Sequence, residues 1–333
     1  MSAQLATHAE IVKIAHLLQV DPEEVEYLAA SDADTLRELR AQLVELFYGD
    51  ESSNLKRFAK LGNILPSSVI ASLTREAVGP VLAARIAGFV DPKQAANVVS
   101  KLPTGFVVDI ATAIDPRRVA PVLSRLDNGT VERLALELIK RHEYVTMGQF
   151  VGFASEDILR AAFSFSSDEA LLRTAFVAED KDRISVALAP QSDERIASII
   201  KTALKDNLWP EAMDLLSQLS DEQYIRVINI AGHMPPATMD KMIAATTRHD
   251  CWQVLVPAVA QMEEPNRACE ALLRGSAADI KAFASVVIAD EAWQDAEELL
   301  AKLSIKNRDE LIKRLSRLKL AEGFIEVLPV LAA

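Results

Sequence analysis

Three tryptophans, Trp209, Trp252 and Trp293, recur at spacings of 43 and 41 residues, and no other feature constrains the fold of this chain as strongly. The match extends beyond the indoles. Asp206, Asp250 and Asp290 precede them by two or three residues, and Leu219, Met262 and Leu303 follow each at ten. Each tryptophan opens a run of helical periodicity, as in Trp209-Pro210-Glu211-Ala212-Met213-Asp214-Leu215-Leu216. Self-similarity near 40 residues is the mark of a helical repeat array, because one such unit cannot bury its own apolar face and must be covered by its neighbours. Each Trp-led unit has room for three short helices, for example over 209–219, 221–231 and 236–247. That is an armadillo-like triplet, with the indoles as structural anchors between repeats.

Composition agrees with packed helices. Half of the 333 residues are hydrophobic, aromatics make up only 5%, and there are 11 glycines, too few for a chain rich in hairpin turns. The net charge of −12 argues against a nucleic-acid binder, which needs clustered Lys and Arg, and against adsorption on an anionic membrane. The charge is unevenly placed. Residues 1–50 carry ten acids against three bases, whereas 301–320 carry seven bases against two acids. Only Cys251 and Cys269 occur, 18 apart, so no disulfide framework is expected and a reducing cytoplasm is the simplest location. No leader-like start and no stretch approaching the ~20 apolar residues of a spanning helix is present, so no membrane span is expected.

Along the chain, Ile11, Ile14, Leu17 and Leu18 form one helical stripe. Asp21-Pro22 reads as the cap and first residue of a second helix, and a third runs from about Asp34 to Phe47. The polar run 49–54 closes an acidic N-terminal segment, residues 1–50. From 54 to 140 the punctuation is regular: Leu65-Pro66, Asp91-Pro92, Leu102-Pro103 and Asp115-Pro116 each start a helix of ten to twelve residues. The stretch 91–102 is echoed at 115–126, with Asp-Pro, small apolar residues, then Ser-Lys-Leu or Ser-Arg-Leu.

This D-P-x-x-A-A-x-V-x-x-x-L pattern at 91–102, with its second copy at 115–126, resembles the superhelical repeats in the N-terminal domain of MgtE-type magnesium transporters. The middle domain of flagellar motor-switch proteins is built similarly. The resemblance covers about residues 60–140. It implies an all-α fold, a right-handed α-solenoid of short helices, HEAT/armadillo-like or of the MgtE N-terminal kind. In the transporter family this domain takes part in magnesium sensing. The present chain shows neither a membrane span nor a CBS pair, so transport is excluded.

Residues 141–205 combine an aromatic-rich joint (Tyr144, Phe150, Phe153, Phe163, Phe165) with continuing helices, and the Trp-led repeats occupy 206–333. A search for chemistry returns little: there is no phosphate loop, nucleophile elbow or H-E-x-x-H, and no catalytic residue, cofactor or metal ligand is assigned. His249-Asp250-Cys251 has the residue types of an activated thiol, but adjacent side chains point in different directions, and Asp250 is expected to cap the Trp252 helix. The C-terminal helix presents Lys313, Arg314, Arg317 and Lys319 opposite its apolar side and is followed by an apolar tail beginning at Phe324. These five are the candidate partner-binding residues, and they could also join the acidic head of a second copy. The function expected is a non-enzymatic adaptor or scaffold whose groove holds a basic or amphipathic helix of a partner protein. The alternatives are a Mg2+ or small-ligand sensor like the transporter domain, and an enzyme with its site at 141–166, which would need a buried acid there.

Overall fold

The computed structural model describes residues 3–49, 55–57, 59–60, 65–180, 182–289 and 293–320, and among them every regular element is helical. Two compact units result, Ala6–Pro190 and a second made chiefly of Gln191–Ala333. The first unit opens with α1 (Ala3–Leu18), a 3-10 helix (Pro22–Ala30) and α2 (Ala33–Gly49). Expected as an α-helix, the segment after Asp21-Pro22 winds more tightly. Only its entry is fixed as anticipated, with the Asp21 backbone N–H donating to the Glu24 carboxylate at 3.2 Å. Ile11, Ile14, Ala15, Val25 and Leu36 form a small core among these three helices, with Val20, Leu28 and Leu39 at its edge.

Then follow α3 (Ser67–Leu73), α4 (Pro80–Ala87), α5 (Pro92–Val99), α6 (Thr104–Thr112), α7 (Pro116–Leu123), α8 (Asn128–Lys140), α9 (Tyr144–Val151), α10 (Glu156–Phe165), α11 (Asp168–Val177) and α12 (Asp182–Leu188). The four that begin at the expected prolines, α3 and α5 to α7, are shorter than the ten to twelve residues expected, and their starts are of two kinds. Where Asp precedes Pro, the proline is the first helical residue and the carboxylate caps. Asp91 accepts from the N–H groups of Lys93 and Gln94 at 3.0 Å, and Asp115 from that of Arg117 at 3.1 Å. Where Leu precedes Pro, as at Pro66 and Pro103, the proline itself is the extended residue before the helix, and no side chain caps it. The echo at 91–102 and 115–126 is also an echo in space. Both copies are eight-residue helices ending on a serine, Ser100 and Ser124, whose hydroxyl donates to a carbonyl three residues back.

Packing alternates. α3 lies on α5 and α5 on α7, while α4 lies on α6, α6 on α8, α8 on α10 and α10 on α12. Ala84, Ala95, Ala96, Ile114, Val119 and Val122 are the core between the two rows, where alanines let short helices approach closely. α9 meets α11 at its Gly148. A Cβ there would stand 2.7 Å from Val177 Cγ2 and 2.9 Å from the Thr174 carbonyl oxygen, so only glycine fits.

The second unit reads in threes. Its helices are α13 (Asp193–Lys205), α14 (Trp209–Leu216), α15 (Asp221–Gly232), α16 (Pro236–Arg248), α17 (Trp252–Ala260), α18 (Pro265–Arg274), α19 (Ala277–Ala289), α20 (Trp293–Lys302) and α21 (Ile305–Arg317). Each triplet holds a thirteen-residue helix, a Trp-led helix of eight to ten and a third helix of ten to thirteen. The repeat therefore begins one helix before its tryptophan. Like packs on like: α13 on α16 and α16 on α19, α17 on α20, α15 on α18 and α18 on α21.

Five helices end in the same way without glycine. Gln19, His142, Asn207, Asp250 and Lys319 adopt left-handed φ values of 52–60°. In each case the next residue's N–H returns to the carbonyl five residues back, as from Val20 to Ala15 and from Cys251 to Thr246 at 3.1 and 3.0 Å. Asp250 thus terminates α16; it does not cap α17, whose preceding residue Cys251 makes no side-chain cap either. Left-handed backbone disfavours every residue with a Cβ by about 1–2 kcal/mol. Asp250→Gly is therefore expected to raise the stability of this unit by about 0.5–1 kcal/mol in urea unfolding. A loss of stability instead would mean that the carboxylate does cap.

Candidate functional site

Trp209 and Trp252 are buried joints rather than a ligand box. Trp209 and Trp252 are 2% and 3% exposed. The Trp209 indole N–H donates to Thr246 Oγ1 on α16 at 3.0 Å, and the threonine donates onward to the Met242 carbonyl at 2.9 Å. Trp252 donates to Thr247 Oγ1 at 3.2 Å, and its ring meets Phe283 of α19 edge-on at 5.7 Å between centroids. In both cases the indole of one triplet touches the long helix of the next. The Trp293 side chain, Asp290 and Phe324 lie outside the described residues.

Polar contacts reinforce the same joints. Arginines of the third helices hold the chain where their own triplet begins: Arg226 bonds Asp193 at 2.7 Å, Arg267 the Met234 carbonyl at 3.1 Å, and Arg314 the Gly275 carbonyl at 3.2 Å. Asparagines link one third helix to the next. Asn229 Oδ1 accepts from the Glu263 N–H at 3.0 Å, and Asn266 Oδ1 from the Ser304 N–H at 2.7 Å.

These contacts sort the basic C-terminal helix. Leu311 and Leu315 are buried, so α21 is the third helix of the last triplet. Arg314, expected on the outer face, is half-buried and turned inward to Gly275. Lys313, Arg317 and Lys319 remain exposed, with Lys313 3.6 Å from Glu310. Exposed acids collect at the entrances of the other third helices, Asp221 and Glu222 in the first turn of α15 and Glu263 and Glu264 before α18.

The His249-Asp250-Cys251 triplet does not assemble as a nucleophile. The Cys251 thiol donates to the His249 backbone carbonyl at 3.3 Å, while the imidazole Nε2 stands 3.1 Å from Asn207 Oδ1. Burial, helped by the Asp250 and Glu211 charges, pushes the Cys251 thiol up to about 11, away from the thiolate that chemistry would need. Burial raises Cys269 to about 12. At the aromatic joint the acids are Glu143, half-buried, and Glu156 and Asp157, both exposed in the first turn of α10, so the buried acid that an enzyme site there would require is not among them. Among the described residues no group of three His, Cys, Asp or Glu could hold a metal ion, and no helix is long and apolar enough to cross a membrane.

A charged cluster that charge counting alone does not reveal lies in the first unit. Glu10 on α1 is 2% exposed and Lys13 4%. Glu10 accepts from Lys13 Nζ and from Arg40 Nε, both at 2.9 Å, and Arg40 Nη1 reaches Glu179, beyond the end of α11, at 2.7 Å. Three further contacts join the N-terminal helices to the short-helix rows. His16 Nε2 stands 3.3 Å from the fully buried Thr146 Oγ1, the His8 and Phe176 rings lie 6.0 Å apart, and Glu45 is 3.7 Å from Arg118. The acidic segment is thus fastened to the array. Burial alone would raise the Glu10 carboxyl, but Lys13 and Arg40 reverse this and hold it below the ordinary glutamate value. Burial likewise lowers Lys13, against the pull of Glu10. Lys13, Arg37 and Arg40 thus all stand within 4 Å of one buried carboxylate. His16 is lowered by burial, opposed by Glu143.

No family model matches the chain, and no curated protein matches it.

The pH dependence follows from these signs. A depressed Glu10 gives stability that is present above its unfolded value of 4.5 and lost as pH falls through the folded one. A depressed His16 is neutral when folded, so stability begins to fall already as pH drops below 6.5. The first unit is expected to lose stability in two stages on acidification, His16→Gln abolishing the upper stage and Glu10→Gln the lower. Because Glu10→Gln also leaves Lys13 and Arg40 partly unpaired, it should cost about 3–5 kcal/mol at neutral pH in denaturant titrations. A pH profile unchanged by either substitution would refute this assignment.

Proposed function

We propose that the chain is a non-enzymatic adaptor, an α-solenoid of right-handed, HEAT/armadillo-like superhelical form, that holds a protein partner along the side of its helical stack. The observation that carries this reading is that successive triplets repeat the same kinds of contact. Indole and asparagine joints link one triplet to the next and an arginine contact recurs within each, so the apolar interior is consumed step by step and the surface left over is an extended one. Solenoids of this kind work by surface rather than by pocket, although fold alone assigns no function. Asp221, Glu222, Glu263 and Glu264 form successive acidic pairs at one edge of the stack, and they favour a partner with a basic or amphipathic helix. Lys313, Arg317, Lys319 and the segment from Phe324 are a second contact region for an acidic partner.

The test uses the full chain as bait in its native cell extract, with two charge-reversed controls, Asp221→Lys/Glu222→Lys/Glu263→Lys/Glu264→Lys and Lys313→Glu/Arg317→Glu/Lys319→Glu. All seven positions are exposed, so both controls should keep the melting temperature of the parent. A partner retained by the parent and lost from the first control at least tenfold is the expected result. Equal capture by all three baits would remove the acidic edge from the proposal.

A further inference from the structure

α3 packs on α5, and among the described residues another side of it is exposed. That side is apolar. Leu65, at the approach to the helix, and Val69 and Leu73, one turn apart on it, are 39–48% exposed. The chain then passes through a π-turn (Thr74–Val78) and Gly79 into α4, where Val81 and Leu82 are exposed as well, at 60% and 40%. Val78, Gly79, Pro80, Val81, Leu82 and Arg85 line an open groove there. Gly79 has a φ of +76° and nothing within 4 Å of where a Cβ would sit, so the groove floor is bare backbone.

Charge marks the same stretch. Residues 61–90 contain three charged side chains, Arg75, Glu76 and Arg85, and the first two pair with each other at 2.8 Å. In a chain of net charge −12 this is a stretch on which two copies can approach without strong repulsion. An antiparallel α3 from a second molecule, with the two-fold axis at Val69, would set Val69 against Val69 and bring Leu73 of each copy toward the chain that enters the other's helix, where Leu65 stands.

We infer that this chain forms a two-fold dimer through the outer face of α3 and the start of α4. The occupant of the face is the same face of a second copy. Five side chains at these exposures offer about 300–400 Å² of apolar surface per copy, about half of what a standard interface buries on each partner. The association is therefore weak and concentration-dependent, with a Kd of about 10–100 µM. This goes beyond the adaptor reading and does not rest on it, since it uses a different face and needs no other protein.

The native cysteines make the test clean, because both are buried with thiols raised well above neutrality. The full chain carrying Val69→Cys, incubated with oxidised glutathione as electron acceptor, should form a disulfide-linked dimer at least tenfold faster than one carrying Ala41→Cys, an exposed position on α2. Sedimentation of the unmodified chain should show a mass rising from 36.4 kDa toward twice that value as concentration increases, while Leu73→Glu and Val81→Glu stay monomeric with unchanged melting. A mass fixed at 36.4 kDa up to about 0.5 mM, equal cross-linking at Val69 and Ala41, or dimers that survive Leu73→Glu would each overturn the inference, and would point to another occupant such as the apolar segment 324–331.

Discussion

The burial of one helix by its counterpart in the next step of the stack is the constraint on which everything else in this protein depends. Beyond α1 and α2 no described helix exceeds thirteen residues, and isolated helices shorter than ~12–15 residues are marginal in water. Several are also compromised internally. Pro121 sits inside α7 and Pro257 inside α17, each removing a backbone hydrogen bond. Such helices persist because α7 lies on α5 and α17 on α20. Local sequence specifies where each helix starts and stops, and the neighbour supplies the reason for it to exist.

That division separates what is legible in the chain from what is not. The triplet is legible because tryptophan is rare and bulky, and three indoles at nearly constant spacing seldom arise except by repetition of a structural unit. Its phase is hidden, because the long helix that begins each triplet has no such marker: 193–205, 236–248 and 277–289 share a length and little else. The end of α16 at Asp250 is obscure for a related reason. Glycine is the usual sign of a left-handed terminus, but here the sites are held by Gln, His, Asn, Asp and Lys, and an aspartate beside a helix start reads more naturally as a cap. The hydrogen bond from Cys251 to Thr246 distinguishes the two.

The charged cluster around Glu10 shows a different blindness. Counting acids and bases treats every charge as surface, and on that count the first 50 residues are simply an acidic head. The signal is present in α1 itself. From Ala9 to Ala15 the only polar residues are Glu10 and Lys13, of opposite sign and three apart, in a stretch of helix otherwise apolar all round. Such a helix must be enclosed, and its charges must satisfy each other inside. A buried ion group of this kind adds less to stability than apolar packing would, but it tolerates only one arrangement of α1, α2 and the end of α11. The same reasoning separates Arg314, drawn inward to a carbonyl, from Lys313 and Arg317 beside it, a distinction that helical periodicity alone does not make.

Each described indole in the second unit points toward the triplet that follows, and this gives the stack a direction. Peeling away the last triplet would bare the ring of Trp252 where Phe283 had covered it, whereas loss of α13 would leave the contact of Trp209 with Thr246 in place. Fraying from the C-terminal side is thus written into the fluorescence of the chain, Trp209 and Trp252 each acting as a built-in lamp for the integrity of the segment ahead of it.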